Sequence, residues 1–225
     1  MPTLHLLRVF CGENGSGGNS LAVFLDGAEV PAERRQAVAT DLGLSETVFV
    51  DDAARGEIRI FTPAVELNFA GHPTVGTAWL LARERAPVDA LQPPAGEVQV
   101  RYEDGLTFVA GRPEWGPQCD FLELSSPAEV EALDGPPQGY DLVVTWAWLD
   151  EPAGVVRARV FYPRIGIPED EATGSAAVRM GARLGRPLDI RQGRASRIVA
   201  RPRGDGSVEV GGASVLDETR DYRLP

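Results

Sequence analysis

Lysine is absent from this chain of 225 residues: all 22 basic residues are arginine. That excludes chemistry that begins with a Schiff base on a lysine. Histidine and cysteine are nearly as scarce, at two each. Cys11 and Cys119 form no spaced motif, so neither a disulfide framework nor a metal site is expected. No apolar run approaches the roughly 20 residues of a membrane-spanning helix; the longest are "VVTWAWL" and "AWLLA". The first residues carry Arg8 inside their apolar stretch and show no secretory pattern, so a cytoplasmic protein is expected. Positive charge is outweighed, with 33 acidic residues and a net charge of −11. This disfavours nucleic acid and anionic membranes as partners. Eight arginines lie between Arg179 and Arg203, and on so acidic a protein they read as a solvated surface.

What is present reads as an ordinary globular α+β chain. "LHLLRVFC" and "SLAVFLDG" predict strands on either side of the glycine-rich "GENGSGGN". A dinucleotide fingerprint would need a helix after those glycines, and "LAVFL" is strand-like, so that reading fails. "PAERRQAVATDLGL" predicts a helix over 31–44, and "PTVGTAWLLARER" a second one starting at Pro73. A hairpin is predicted at "EDG". The pattern then recurs: a strand at "DFLELSS", a short helix at "PAEVEALDG", strands at "YDLVVTWAWLD" and "VVRARVFYP", and a helix at "TGSAAVRMGARLG".

Two anchors mark the recurrence. "RIFTP" at 59–63 returns as "RVFYP" at 159–163, and each is followed by a loop and a helix start rich in small residues, "AGHPTVG" and "ATGSAAV". An internal duplication follows, with lobes at 1–114 and 115–225 and a boundary in "RPEWGPQ". Each anchor leads to a helix N-terminus, whose unpaired N–H groups and partial positive charge suit a carboxylate or phosphate. If pseudo-symmetry brings the two termini together, they form the walls of an anion site.

The side chains at these turns are the candidates. His72 sits between Gly71 and Pro73, a constrained backbone that favours a functional role over a surface turn. Asp170 suits either a site or a turn, and Thr173 and Ser175 suit either a site or a helix cap. On pattern alone Glu46 reads as a solvated loop carboxylate.

"SGGNSLAVFLDG", "LSETVFV", "IRIFTPAVELNFAGHPTVGTAWLL", "ARVFYPRIGIPEDEATGSAA" and "GRASRIVARPRGDGSVEVGG" occur in that order. Together they resemble the phenazine-biosynthesis PhzF-like isomerases, which share the diaminopimelate-epimerase fold. The resemblance implies two pseudo-symmetric lobes, each a small barrel-like mixed sheet around a central helix, with a small carboxylic acid bound in the cleft between them. It implies Glu46 as the acid/base that moves a proton between carbons, with His72 and Asp170 as further catalytic residues. Asn19, Gly71, Gly174 and Ser175 would bind substrate, without cofactor or metal; a homodimer is expected. A carboxylate that takes and returns a proton works best partly buried, so Glu46 is expected to be so. A non-catalytic small-acid binder and an epimerase acting without cysteines are the alternatives.

Three departures from the family pattern stand out. Ser20 replaces a proline, the chain is short, and Glu171 replaces the proline of "EDP", which is expected to add negative charge beside the site. The related epimerases use two cysteines, and the matching positions here are Ala70 and Thr173, so two-thiol epimerisation is not expected.

Overall fold

Arg59 in the first anchor pairs with Glu66, and Arg159 in the second pairs with Glu169, Nε to Oε1 at 2.8 Å and Nη2 to Oε2 at 2.7 Å. The repeat therefore reaches the side chains. The computed structural model describes residues 1–165 and 167–225. By its internal contacts the chain divides into two units. One comprises Met1–Val9, Ser20–Ala110 and Ala213–Pro225, and the other Phe10–Asn19 and Gly111–Gly212.

The strands and helices follow in this order: β1 (Thr3–Cys11), β2 (Asn19–Phe24), α1 (Arg35–Leu42), β3 (Glu46–Asp52), β4 (Glu57–Phe61), β5 (Glu66–Leu67), α2 (Gly71–Glu84), β6 (Ala90–Leu91), β7 (Val98–Glu103) and β8 (Leu106–Gly111). Then come β9 (Asp120–Glu123), α3 (Pro127–Glu131), β10 (Val143–Asp150), β11 (Val155–Tyr162), β12 (Ile167–Asp170), α4 (Gly174–Leu184), β13 (Leu188–Gln192), β14 (Ser196–Pro202) and β15 (Val208–Asp221). In the first unit β2 runs parallel to β3, β3 antiparallel to β4, and β4 antiparallel to β5. In the second, β9, β10, β11 and β12 repeat those three relations in the same order. Even the irregularity recurs, as a register shift at Val50/Asp52 in β3 and at Trp148/Asp150 in β10. The fold is α+β, with Pro63 and Pro163 at equivalent points.

Within the first unit the pairing closes on itself. The order β4-β3-β2-β1-β15-β8-β7-β6 is completed by a parallel bridge between Glu57 and Gln92. A sheet so closed needs a filling, and α2 supplies it: every residue from Gly71 to Ala78 is buried, as are Leu80 and Leu81. A helix buried on every side up to Ala78 has no solvent face to keep there. Gly76 lets the helix sit close, since a Cβ there would lie 2.6 Å from both Leu21 Cδ2 and Val9 Cγ2. A second apolar cluster lies under α1, where Phe24 stacks on Phe49 with ring centres 5.1 Å apart. The helix expected over 31–44 is shorter. It opens as a 3-10 turn at Ala32–Arg34 and stops at Gly43, in the left-handed conformation with φ of 62°. Arg35 lies buried there, bonding the carbonyls of Gly27 and Val30 and the Asp51 carboxylate.

In the second unit α4 packs on β14 with Ala176, Ala177, Val178, Met180 and Gly181 buried, while Ala182 and Arg183 face solvent. The glycine-rich loop is a packing device. A Cβ at Gly12 would sit 2.0 Å from the Ala195 carbonyl oxygen, and one at Gly17, at φ +62°, 2.7 Å from the Ala195 carbonyl carbon and 2.8 Å from the Ser196 nitrogen. The arginines between 179 and 203 are dispersed: Arg183 lies over Phe121, Arg186 over Trp148, and Arg191 and Arg197 pair with Asp189. Among the described residues no helix is long and apolar enough to cross a membrane.

Candidate active site

The helix expected from Pro73 begins two residues earlier, at Gly71, after an extended Ala70. His72 therefore sits inside the first turn of α2, and Pro73 follows where its missing N–H costs nothing. Glu46 opens β3 immediately after the turn that ends α1, in register with Leu21 of β2. These two local structures deliver the carboxylate and the imidazole to one place. His72 Nε2 and Glu46 Oε2 are 3.1 Å apart, with only 6% and 15% of the side chains exposed. Across that gap neither atom meets the other in hydrogen-bond alignment. The contact is a close approach of a carboxylate oxygen to an imidazole nitrogen, an ion pair only when the imidazole is protonated.

The second group of candidates lies in the other unit. Asp170, at the end of β12, accepts from Asn19 Nδ2 and from Thr173 Oγ1, both at 2.6 Å. Asn19 also bonds the Ala172 carbonyl at 3.2 Å. Thr173 precedes the first residue of α4, Gly174, yet caps nothing with its side chain. Its hydroxyl is spent on Asp170, and Gln192 holds it from the other side: Oε1 takes the Thr173 N–H at 3.2 Å, while Nε2 gives to Thr173 Oγ1 and to the Asp170 carbonyl at 2.8 Å. Ala70 likewise makes no side-chain cap, so both glycine-led helices present their first N–H groups without one. Such ends are where anions bind. The capping alternative for Thr173 is thereby set aside.

Glu171 departs from its expectation. Its carboxylate accepts from Arg194 N at 2.9 Å, Ala195 N at 3.2 Å and Ser196 Oγ at 2.9 Å. The negative charge is committed to the turn at Gly193–Ser196, which the glycine-rich loop in turn packs upon. The structure thus brings Glu46, His72 and Gly71 together in one unit, and Asn19, Asp170, Gly174 and Ser175 in the other. Gln192 escaped the sequence reading, although its inward position after Leu188 and Ile190 in β13 is a period-2 signal for a buried polar residue. Among the described residues no cluster of three or more His, Cys, Asp or Glu is placed to hold a metal ion.

Cys119 carries no sign of a reactive thiol, because burial pushes its pKa up to about 11. Cys11 is buried as well.

Comparison with known proteins bears on the family and the fold. Residues 8–112 match the phenazine biosynthesis-like protein family, PhzC-PhzF. The trans-2,3-dihydro-3-hydroxyanthranilate isomerase of Pseudomonas aeruginosa is 34% identical over 268 residues, covering 91% of this chain and 94% of that protein. Among solved structures, the Bacillus anthracis phenazine biosynthesis protein of the PhzF family superimposes with a TM-score of 0.80 at 19% identity, over the whole of both chains. A hydroxyproline epimerase from Agrobacterium vitis, solved with bound trans-4-hydroxy-L-proline, superimposes with a TM-score of 0.62 at 12% identity, covering 98% of this chain and 91% of that one.

Proposed function

Because this chain belongs to the phenazine biosynthesis-like (PhzC-PhzF) family and is an isomerase, we propose that it moves a proton between two carbons of a small unsaturated carboxylic acid, with Glu46 as the base that removes it and the acid that returns it. The observation that carries this reading is the Glu46–His72 contact at 3.1 Å at the head of a buried helix. A carboxylate beside an imidazole, both largely withdrawn from water, has a partner for either protonation state, which a group that alternates between base and acid requires. In the proposed step the Glu46 carboxylate takes a proton from a carbon conjugated to the substrate carboxylate. The electron pair of that C–H bond shifts into the conjugated system and its charge spreads onto the carboxylate oxygens. The protonated Glu46, once its proton has exchanged with water, then gives a proton to a different carbon, and the double bond moves with it. His72 orients Glu46 and can share the proton.

Two helix starts offer N–H donors, that of α2 around Gly71 and that of α4 around Gly174 and Ser175, and those of α4 would hold the substrate carboxylate and stabilise the charge that develops there. Asp170, fixed by Asn19 and Thr173, keeps the turn before α4 in shape and orients substrate. The relative from Pseudomonas aeruginosa carries hydroxyanthranilate in its name, which favours a ring-bearing or conjugated acid here.

The test is deuterium uptake from D₂O into recovered acid, for the parent and for Glu46→Gln. The amide keeps the shape and loses the proton-accepting charge, so uptake should fall by about two to four orders of magnitude, with binding retained within a few-fold. Undiminished uptake in Glu46→Gln would move the base elsewhere. Binding without uptake in the parent would leave a carboxylate-binding protein. Inversion at a single carbon would indicate an epimerase.

A further inference from the structure

Tyr162 closes β11, directly before Pro163, and is 5% exposed. Its hydroxyl is cut off from solvent and has no aligned hydrogen-bond partner among the described residues. Ser175 lies close enough to favour the ionised phenol but not in bonding alignment, and Cys119, Asp170 and Arg179 act on the same hydroxyl. Burial holds its pKa well above the ordinary value, so the group is an O–H donor.

Arg179 is one helical turn beyond Ser175, on the same face of α4, and its side chain reaches back toward the helix start. One Nη2 bonds the Gly116 carbonyl at 3.0 Å, while its Nε is buried with no partner. Gly116 also touches Ser175, since a Cβ there would meet Ser175 Cβ at 2.9 Å. No carboxylate pairs with this guanidinium among the described residues. A buried donor without an acceptor is destabilising, and here two lie beside the positive end of a helix. The nearby carboxylate of Asp170 is already held by Asn19 and Thr173.

We propose that Tyr162 and Arg179 form a second oxyanion-binding point, beside the start of α4, and that the preferred substrate is a dicarboxylic acid. This rests on the reading above, in which the first N–H groups of α4 hold one carboxylate. Those of Gly174, Ser175 and Ala176 make no hydrogen bond to the described residues, and three donors suffice for that group. The phenol O–H and the guanidinium Nε–H remain, both donors, and only a further acceptor of negative charge answers them.

Fumarate and crotonate test this, because they share a skeleton and differ by a carboxylate in place of a methyl. Calorimetric titration of the intact chain should show fumarate binding at least tenfold more tightly. Tyr162→Phe and Arg179→Gln should each bring that ratio below fivefold. Tyr162→Phe should leave the unfolding midpoint unchanged or raised, since the hydroxyl it removes has no partner. A parent ratio below tenfold, a variant ratio of fivefold or more, a lowered midpoint in Tyr162→Phe, or binding of neither acid would overturn the proposal. The two readings fail separately: undiminished deuterium uptake in Glu46→Gln rejects the acid/base assignment and leaves the ratio untouched, whereas a missing dicarboxylate preference with normal uptake rejects only the second binding point.

Discussion

Glu171→Ala offers the sharpest test of how the second unit is held together. In the parent its carboxylate takes hydrogen bonds from two backbone N–H groups, of Arg194 and Ala195, and from the Ser196 hydroxyl. Hydrogen bonds to a charged acceptor contribute about 1.5–3 kcal/mol each. Glu171 is half-buried and two of the donors lie in an exposed turn that water can reach, so the lower end applies. Replacement by alanine should then cost about 2–4 kcal/mol, since water compensates part of the loss. For a chain of this size each kcal/mol lowers the melting temperature by about 2–4 °C. The loss should propagate, because Gly12 and Gly17 pack on Ala195, and proteolysis in the 12–19 loop should become easier. Glu171→Gln, which keeps one acceptor and drops the charge, should fall between. The assay is urea unfolding of parent and both variants, followed by far-ultraviolet circular dichroism. A change below about 0.5 kcal/mol in the alanine variant, the ordinary scatter of surface substitutions, would refute the reasoning. So would a gain in fumarate affinity, because that would mean the charge acts on the ligand rather than on the turn.

Further outcomes concern two helix glycines and a histidine. Gly76→Ala gains about 1 kcal/mol of helix propensity but drives a methyl into Leu21 and Val9, so a net loss of about 1–2 kcal/mol is expected in urea unfolding; Gly181→Ala, facing Val208 Cγ1 at 2.9 Å, should cost less. The pKa of His5 is lowered by burial, so the unfolded chain binds its proton more readily than the folded one. Stability should therefore fall as pH drops below the ordinary histidine value of 6.5, by at most about 1.4 kcal/mol per pH unit for one proton. His5→Gln should flatten that slope in unfolding measured from pH 7.5 to 5.5, and an unchanged slope would show that His5 does not cause it.

The sequence by itself determined the architecture. Two copies of an Arg-x-Phe-x-Pro strand, each followed by a small-residue helix start, specify equivalent strand pairings because the pattern fixes which faces are apolar and where the chain must turn. It also singled out His72, since a histidine between glycine and proline at a helix start has few structural reasons to be there. The sequence did not say what meets His72. Glu46 looks like any loop carboxylate until the parallel pairing of β2 with β3 sets it 3.1 Å from the imidazole, a contact made across 26 residues that no local pattern encodes. Glu171 shows the reverse: a charge placed by sequence beside a candidate site is taken up by the turn at Gly193–Ser196, because backbone N–H groups folded there from afar are the better partners. Tyr162 and Gln192 read as ordinary strand residues until burial removes water from their polar atoms. Only the tertiary structure decides which polar groups lose water, and with it which of them must find a partner.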